Sequence, residues 1–180
     1  MTVFKSFTVL AEVCVLLCAG MQAQIGALSK NDTRLSDASD PKLHVGGFWE
    51  YKTRPGEETS RLFIVKIDRS AELGIIVHVA VDNLTWRDCR NKPFSQPVPH
   101  MPFARQALEA SLSKQMGEVN VKDLPDYRAG YDNWKTAFSE KKAGVYVILV
   151  RDVISVAEQT YRTGIGCQSN TNPNPPTASR

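Results

Sequence analysis

The chain has 180 residues, and its 22 lysines and arginines against 19 aspartates and glutamates give a formal net charge of +3. That length suits a single folded domain with one hydrophobic core. The charge is too small, and the basic residues are too scattered along the sequence, to predict a nucleic-acid-binding surface.

The first predicted element is a signal peptide over residues 1–23. Lys5 precedes an apolar run over residues 7–18, and small residues follow it, as in secretory signals. Glu12 interrupts the run, and an acid at the centre of a spanning helix costs about 2.5–3.5 kcal/mol, so we expect no stable membrane span. The pattern predicts a secreted or periplasmic protein. An uncleaved N-terminal anchor and a translation start at Met21 are the alternatives.

Two further segments flank the predicted domain. Residues 24–44 are largely polar and lack sustained periodicity, which predicts a disordered arm. Residues 163–180 are rich in Gly, Asn, Pro and Ser, which predicts a disordered tail. The domain itself is predicted over residues 45–162, and the sequence contains no internal repeat.

The predicted mature chain keeps two cysteines, Cys89 and Cys167. In an oxidising compartment they could close a disulfide that ties the tail to the loop after the third predicted strand. Two free thiols are the alternative. Neither cysteine belongs to a CxxC pair, so the spacing predicts no zinc site and no redox motif.

The first half of the domain predicts an antiparallel meander. Three runs rich in aromatic and β-branched residues predict its strands, over residues 46–53, 60–69 and 74–83. Side chains alternate between the two faces of a strand, so Val77 and Val79 share an apolar face while His78 lies on a mixed face. A register in which paired residue numbers sum to 144 puts Lys66 directly opposite His78.

The rest of the domain predicts three helices and a fourth strand. Residues 88–101 carry three prolines and predict a loop, after which Pro102 suits the first turn of a helix whose apolar positions continue to Met116. An aromatic stripe predicts a second helix docked on the sheet, with members Tyr127, Tyr131, Trp134 and Phe138. Residues 144–150 predict the fourth strand and residues 152–162 the third helix. Together these elements predict an α+β fold, with an about four-stranded, mainly antiparallel sheet and about three helices packed on one face.

Several motifs resemble a group of small bacterial proteins that have no established activity. The longest motif lies at residues 47–58 and is a hairpin of the type GxWxYKTRPGEE. Shorter matching segments lie at residues 66–68, 76–79, 100–103, 130–138 and 143–145. The resemblance covers roughly residues 45–161 and implies a bacterial origin and one self-contained domain. It implies no activity, ligand or catalytic residue.

The connection between the first two predicted strands is a candidate recognition loop. Pro55 and Gly56 provide turn geometry there; Arg54 precedes them, and Glu57 and Glu58 follow. Loops held by a rigid sheet often carry binding residues, so Arg54 could bind an anion or a carboxylate of a partner. A solvated tip with a local ion pair worth under about 1 kcal/mol is the alternative.

A second candidate site lies on the mixed sheet face. Lys66 and His78 meet there in the predicted register, and Glu50 of the first strand is a further candidate on that face. An imidazole beside a charged partner changes its protonation easily near neutral pH, so this cluster could hold an anion or transfer a proton. A half-buried histidine with one hydrogen bond is the alternative. His100, in the proline-rich loop, could line a cleft at the sheet edge.

The sequence predicts no metal site and no cofactor. The three histidines are far apart and lack HxH, HxxxH or HExxH spacing. No nucleophile elbow, P-loop or dinucleotide fingerprint is present either.

We therefore expect a binding or accessory module rather than an enzyme. It would meet an unknown protein or envelope component through residues 54–58 and the mixed sheet face. One alternative is a hydrolase or isomerase with His78 or His100 as general acid–base. Its orienting carboxylate would be Glu57, Glu58 or Asp88. A structural or stress-related envelope protein is a further alternative.

Overall fold

The computed structural model describes residues 35–164. The predicted signal peptide, Cys167 and the predicted tail from residue 165 lie outside the described residues. Export and the Cys89–Cys167 disulfide therefore stay predictions.

Eight strands lie within the described residues: β1 (Leu35–Asp37), β2 (Gly47–Tyr51), β3 (Leu62–Ser70), β4 (Gly74–Val81), β5 (Thr85–Arg87), β6 (Pro93–Ser95), β7 (Val98–Ala104) and β8 (Leu112–Glu118). Six of them form an antiparallel main sheet in the order β7–β4–β3–β2–β8, with β1 paired to β3. β5 and β6 form a separate two-stranded sheet.

The same part of the chain contains three α-helices: α1 (Arg105–Ser111), α2 (Arg128–Ser139) and α3 (Val150–Thr163). A short 3₁₀ turn, Val121–Asp123, precedes α2. No helix among residues 35–164 combines the length and the hydrophobicity needed to cross a membrane.

The α+β class, the antiparallel sheet and the three helices are confirmed, but the prediction of about four strands is wrong. One missed strand is β7, which spans the end of the predicted loop over residues 88–101 and the predicted helix start at Pro102; α1 begins only at Arg105. Pro102 of β7 accepts a hydrogen bond from the Tyr146 amide on the outer side of the sheet (2.9 Å). The N and O atoms of one strand residue point to the same side of the strand, which for Pro102 is the side away from β4. The amide hydrogen that proline lacks would therefore not pair with β4, so proline costs no ladder hydrogen bond at this position.

The boundary between α1 and β8 was also missed. The apolar spacing predicted one helix up to Met116, but Leu112 has extended backbone (φ −70°, ψ 149°) and the chain continues as β8. β8 pairs with β2 along the edge of the main sheet. Tertiary pairing therefore outweighs the local helical pattern in this segment.

Residues 144–150 do not form the predicted fourth strand. Tyr146 makes one parallel bridge to Phe103 of β7, and α3 already begins at Val150. The Val150 amide donates to the hydroxyl of buried Ser111 at the end of α1 (3.1 Å). This contact fixes the start of α3 where the sequence predicted the end of a strand.

The helices lie on both faces of the main sheet, so the prediction of one helical face is wrong. On the apolar face, Val77 shares the hydrophobic core with Leu108 of α1 and Ile154 of α3. On the opposite, mixed face, His78 packs against Tyr131 of α2. α2 therefore covers the part of the mixed face around His78.

Part of the predicted disordered arm belongs to the fold. β1 pairs with β3, and Leu43 is fully buried. Asp40 accepts hydrogen bonds from the Leu43 amide (3.0 Å) and from the Arg105 guanidinium (2.5 Å). The Arg105 bond is the main reason that the pKa of Asp40 falls to about 2. These contacts with distant residues order residues 35–44, which have no local pattern of their own.

Candidate functional site

Two groups of polar side chains stand out in the described structure. The first, called here the histidine cluster, lies between the mixed face of the sheet and α2. Its members are Lys66 and Asp68 of β3, His78 of β4, His100 of β7, and Tyr131 and Trp134 of α2. The second lies at the β2–β3 connection and is described further below.

The strand register brings the histidine cluster together. Lys66 pairs directly with His78, as the predicted register requires, and the numbering sum of 144 holds as far as the β-bulge between Ile64 and Lys66. On the other side of β4, His78 pairs with Pro102. His100 lies two residues before Pro102 on the same strand, so its side chain reaches the same face.

The two histidines are in direct contact. His78 is fully buried, and its Nδ1 atom lies 2.9 Å from Nε2 of the part-exposed His100. Nε2 of His78 lies 3.2 Å from Oδ2 of Asp68, but its direction is poor for a hydrogen bond, so it has no well-aligned partner among the described residues. The rings of Tyr131 and Trp134 stand edge-on to His78, with centroids 5.1 and 4.8 Å away.

Asp68 decides which nitrogens carry protons. Its carboxylate accepts a hydrogen bond from the Tyr131 hydroxyl (2.8 Å) and forms an ion pair with Lys66 (3.1 Å). Both contacts favour the ionised carboxylate, which can only accept hydrogen bonds. Facing a carboxylate, Nε2 of His78 must carry its proton, which leaves Nδ1 of His78 as an acceptor. Nε2 of His100 must then donate. The Nε2 proton of His100 therefore points at His78, and the Nε2 proton of His78 points towards Asp68.

Burial keeps both histidines neutral. Loss of solvent lowers the pKa of His78, although Asp68 acts in the opposite direction. Burial and the neighbouring His78 lower the pKa of His100 to about 4. Burial would by itself raise the pKa of Asp68, but the close contacts with His78, Tyr131 and Lys66 outweigh it and hold the pKa below its usual value.

A glycine in α2 allows the helix to approach this cluster. A Cβ atom at Gly130 would lie 2.8 Å from Cβ of His100. Any side chain there would push the helix or His100 away. The sequence signal for this contact is the Gly130-Tyr131 pair at the start of the aromatic stripe.

The second group lines a cleft of about 610 Å³ between the β2–β3 connection, β5 and α3. We call it the arginine cleft. Its charged lining residues are Arg54, Glu57, Arg87, Glu158 and Arg162, with Ser155 among the polar ones. A volume of this size is in the range of small-molecule and peptide-side-chain sites.

Arg54 is held inside the protein rather than offered to solvent. Its guanidinium donates two hydrogen bonds to Glu57 (2.8 and 2.5 Å), one to the carboxylate of Glu158 and one to the Thr85 carbonyl (3.0 Å). Glu57 is only 3% exposed and also accepts the Thr85 amide (2.8 Å). The hydrogen bonds to Glu57 are the main reason that the pKa of Arg54 is raised. The hairpin tip is therefore locked to β5 and α3.

Unlike Arg54, Arg87 uses only part of its guanidinium in hydrogen bonds to the described residues. Its side chain donates one hydrogen bond, from Nη1 to the Asn91 carbonyl (3.1 Å), while its backbone amide donates to Glu158 (2.8 Å). Its Nε and Nη2 atoms make no hydrogen bond to any described residue. They are the guanidinium donors available to a ligand.

The remaining predicted residues belong to neither group. Glu50 lies 3.5 Å from Arg61, and Glu58 accepts the Gly56 amide at the exposed tip (2.9 Å). Asp88 accepts the Arg90 and Lys92 amides (2.9 and 2.8 Å), so it shapes its own loop. Cys89 is exposed beside a cavity of about 280 Å³ that the last turn of α3 also lines.

Sequence reasoning missed several members of both groups. Asp68 takes the orienting position for which Glu57, Glu58 and Asp88 were considered. The sequence did indicate that Asp68 shares a sheet face with Lys66, because residues 66 and 68 are two apart in one strand. Arg87 and Glu158 carried no sequence signal, since they join the tip only in three dimensions.

Among residues 35–164, no three His, Cys, Asp or Glu side chains are grouped closely enough to hold a metal ion.

The fold and these two sites define an α+β protein with a histidine pair, of which His78 is buried, and a polar surface cleft. Comparison of the chain with protein-family models, with curated proteins and with solved structures found no match. The resemblance to small bacterial proteins and the bacterial origin therefore stay predictions.

Proposed function

We propose that this protein is a small exported binding module that holds a carboxylate-bearing segment of another macromolecule in the arginine cleft. The observation that carries the proposal is the exposed guanidinium edge of Arg87, Nε and Nη2, which makes no hydrogen bond to the described part of the chain and lines a cleft of about 610 Å³. A planar guanidinium edge matches a carboxylate with two parallel hydrogen bonds.

The charge of the cleft favours a carboxylate over a more highly charged anion. Three arginines and two glutamates line it, and both glutamates are paired with Arg54. Both glutamates already accept hydrogen bonds from Arg54 and from backbone amides, so they add little repulsion toward a ligand. A single carboxylate balances the positive charge of Arg87, and an acidic peptide segment is the ligand class that this suits best.

The role of Arg54 in this proposal differs from the sequence-based expectation. Arg54 acts as the internal brace that shapes the cleft, and Arg87 provides the ligand contact. The acid–base alternative is less well supported. Its histidines are 2.9 Å apart, but His78 is fully buried and out of reach of a substrate, so that of the two only the part-exposed His100 could contact one.

The test is a titration of the purified protein with a glutamate-rich peptide, followed by NMR amide shifts and calorimetry. We expect shifts in β5 and in the middle of α3. Arg87→Ala should weaken binding by about tenfold or more, because a hydrogen bond to a charged group is worth about 1.5–3 kcal/mol.

The matched control is Arg151→Ala, which removes one positive charge from α3 at a residue outside the cleft lining. It should leave affinity within about twofold. Equal losses in both variants would reduce the interaction to unspecific charge attraction. Binding of inorganic phosphate in preference to the peptide would contradict the assignment of a carboxylate.

A further inference from the structure

We propose that His78 and His100 form a pH-operated latch that holds α2 against the main sheet and releases it on acidification. This is separate from the arginine cleft and does not depend on the function proposed for it. α2 reaches the mixed face through the histidine cluster: Tyr131 donates to Asp68 (2.8 Å), and Trp134 packs edge-on against His78 (4.8 Å between centroids).

The geometry of the pair limits how many protons it can hold. The facing nitrogens of His78 and His100 are 2.9 Å apart, which leaves room for one proton between them. If both rings were imidazolium, each facing nitrogen would carry a hydrogen pointing at the other. The rings would then have to separate. Because His78 is fully buried, separation requires that the helix covering it moves away.

The surrounding charges offer little compensation for added protons. Within residues 35–164, Asp68 of β3 is the carboxylate that forms an ion-pair contact with His78, and it is already shared by Lys66 and Tyr131. Lys66 itself is paired with Asp37 of β1 (2.5 Å). The charged and titratable groups that face the pair from the packed elements are Asp37, Lys66, Asp68, Tyr131 and Lys135, whose ammonium lies 5.6 Å from the Tyr131 ring centroid.

Release should be local to α2. The hydrophobic core that includes Leu108 of α1 and Ile154 of α3 lies on the opposite face of the sheet and contains neither histidine. The released state can bind up to two more protons than the latched state. Opening of α2 therefore becomes up to a hundredfold more favourable for each unit by which pH falls. It would uncover buried apolar side chains such as Ile76 and Phe138.

The test is amide hydrogen exchange on the purified protein from pH 7.5 to pH 4.5, with the intrinsic pH dependence of exchange removed. We expect the protection of α2 amides to fall tenfold or more per unit below pH 6, while β3 and β4 keep theirs. His100→Gln should make this dependence shallower, at most tenfold per pH unit, because glutamine can still donate a hydrogen bond to His78 but does not titrate, so that only His78 can gain a proton on release. His44→Gln, which changes the histidine outside the cluster, should retain it.

A second measurement needs only the unmodified protein. Imidazole NMR signals followed over the same pH range should report proton uptake by His78 and His100 together with the opening of α2. The latch is overturned if both rings gain protons while α2 stays protected. It is also overturned if α2, β3 and β4 lose protection together, or if His100→Gln keeps the pH dependence of the unmodified protein.

Discussion

Arg54 and Glu158 form an ion pair across 104 residues of sequence, between the tip of the β2–β3 hairpin and the middle of α3. Both side chains are about 15% exposed, and the pair closes one wall of the arginine cleft. The hairpin tip is thus part of the tertiary core of contacts rather than a free recognition loop.

Arg54→Ala should destabilise the protein by about 2–4 kcal/mol. The substitution leaves the buried carboxylate of Glu57 without its cation, and an uncompensated buried charge is costly. Urea unfolding measures the change. Arg151→Ala, at an exposed site, is the control and should stay within about 0.5 kcal/mol. An Arg54 variant as stable as the control would mean that the pair is a solvated surface contact.

Gly130→Ala should also destabilise, by about 1–2 kcal/mol, although alanine is the better helix former. The added Cβ would lie 2.8 Å from Cβ of His100. Relieving that clash costs more free energy than alanine gains through its higher helix propensity. Gly144→Ala is the matched control, because nothing lies within 4 Å of its added Cβ. Thermal unfolding of the two variants compares them, and equal melting temperatures would contradict the close approach of α2 to His100.

The tautomers of the two histidines are a third prediction. At neutral pH both His78 and His100 should carry their proton on Nε2, because Asp68 fixes the first and the first fixes the second. Long-range ¹⁵N–¹H correlation spectra distinguish the two tautomers directly. A proton on Nδ1 of His78 would reverse the direction of the hydrogen bond and remove Asp68 from the chain.

Stability should fall as pH is lowered from about 6.5 towards 4. The pKa of both histidines is lowered on folding, to about 4 for His100, so the folded protein keeps them neutral while the unfolded chain takes up protons near pH 6.5. The stabilisation is therefore fully present above pH 6.5 and is lost as pH falls through this window. After allowance for solvent screening at the part-exposed His100, this histidine contributes about 1–2 kcal/mol to the free energy of unfolding above pH 6.5.

Denaturant unfolding at half-unit pH steps measures this loss, and His100→Gln should flatten the curve between pH 6.5 and 4.5. The carboxylates of Asp40 and Asp68, whose pKa values are lowered, contribute to the loss of stability below about pH 5, so the comparison with the variant isolates the contribution of His100. A variant curve parallel to that of the unmodified protein would exclude His100 as a source of the pH dependence.

The sequence by itself determined the meander of β2, β3 and β4, the register that pairs Lys66 with His78, and the presence of α2 and α3. These features depend on neighbouring residues: alternation defines the two faces of a strand, and the short turn between β3 and β4 fixes which residues meet. An aromatic stripe at helical spacing likewise needs no information beyond its own segment.

Only the tertiary structure decided the edges of the sheet and the composition of both sites. Whether prolines end a strand depends on which side of the strand is paired, and whether residues 112–118 are helix or strand depends on β2 lying beside them. The contacts of Asp68 with Tyr131 and of Arg54 with Glu158 join residues 63 and 104 positions apart. Such contacts arise from how the helices pack on the two faces of the sheet, and no local pattern in the sequence specifies that packing.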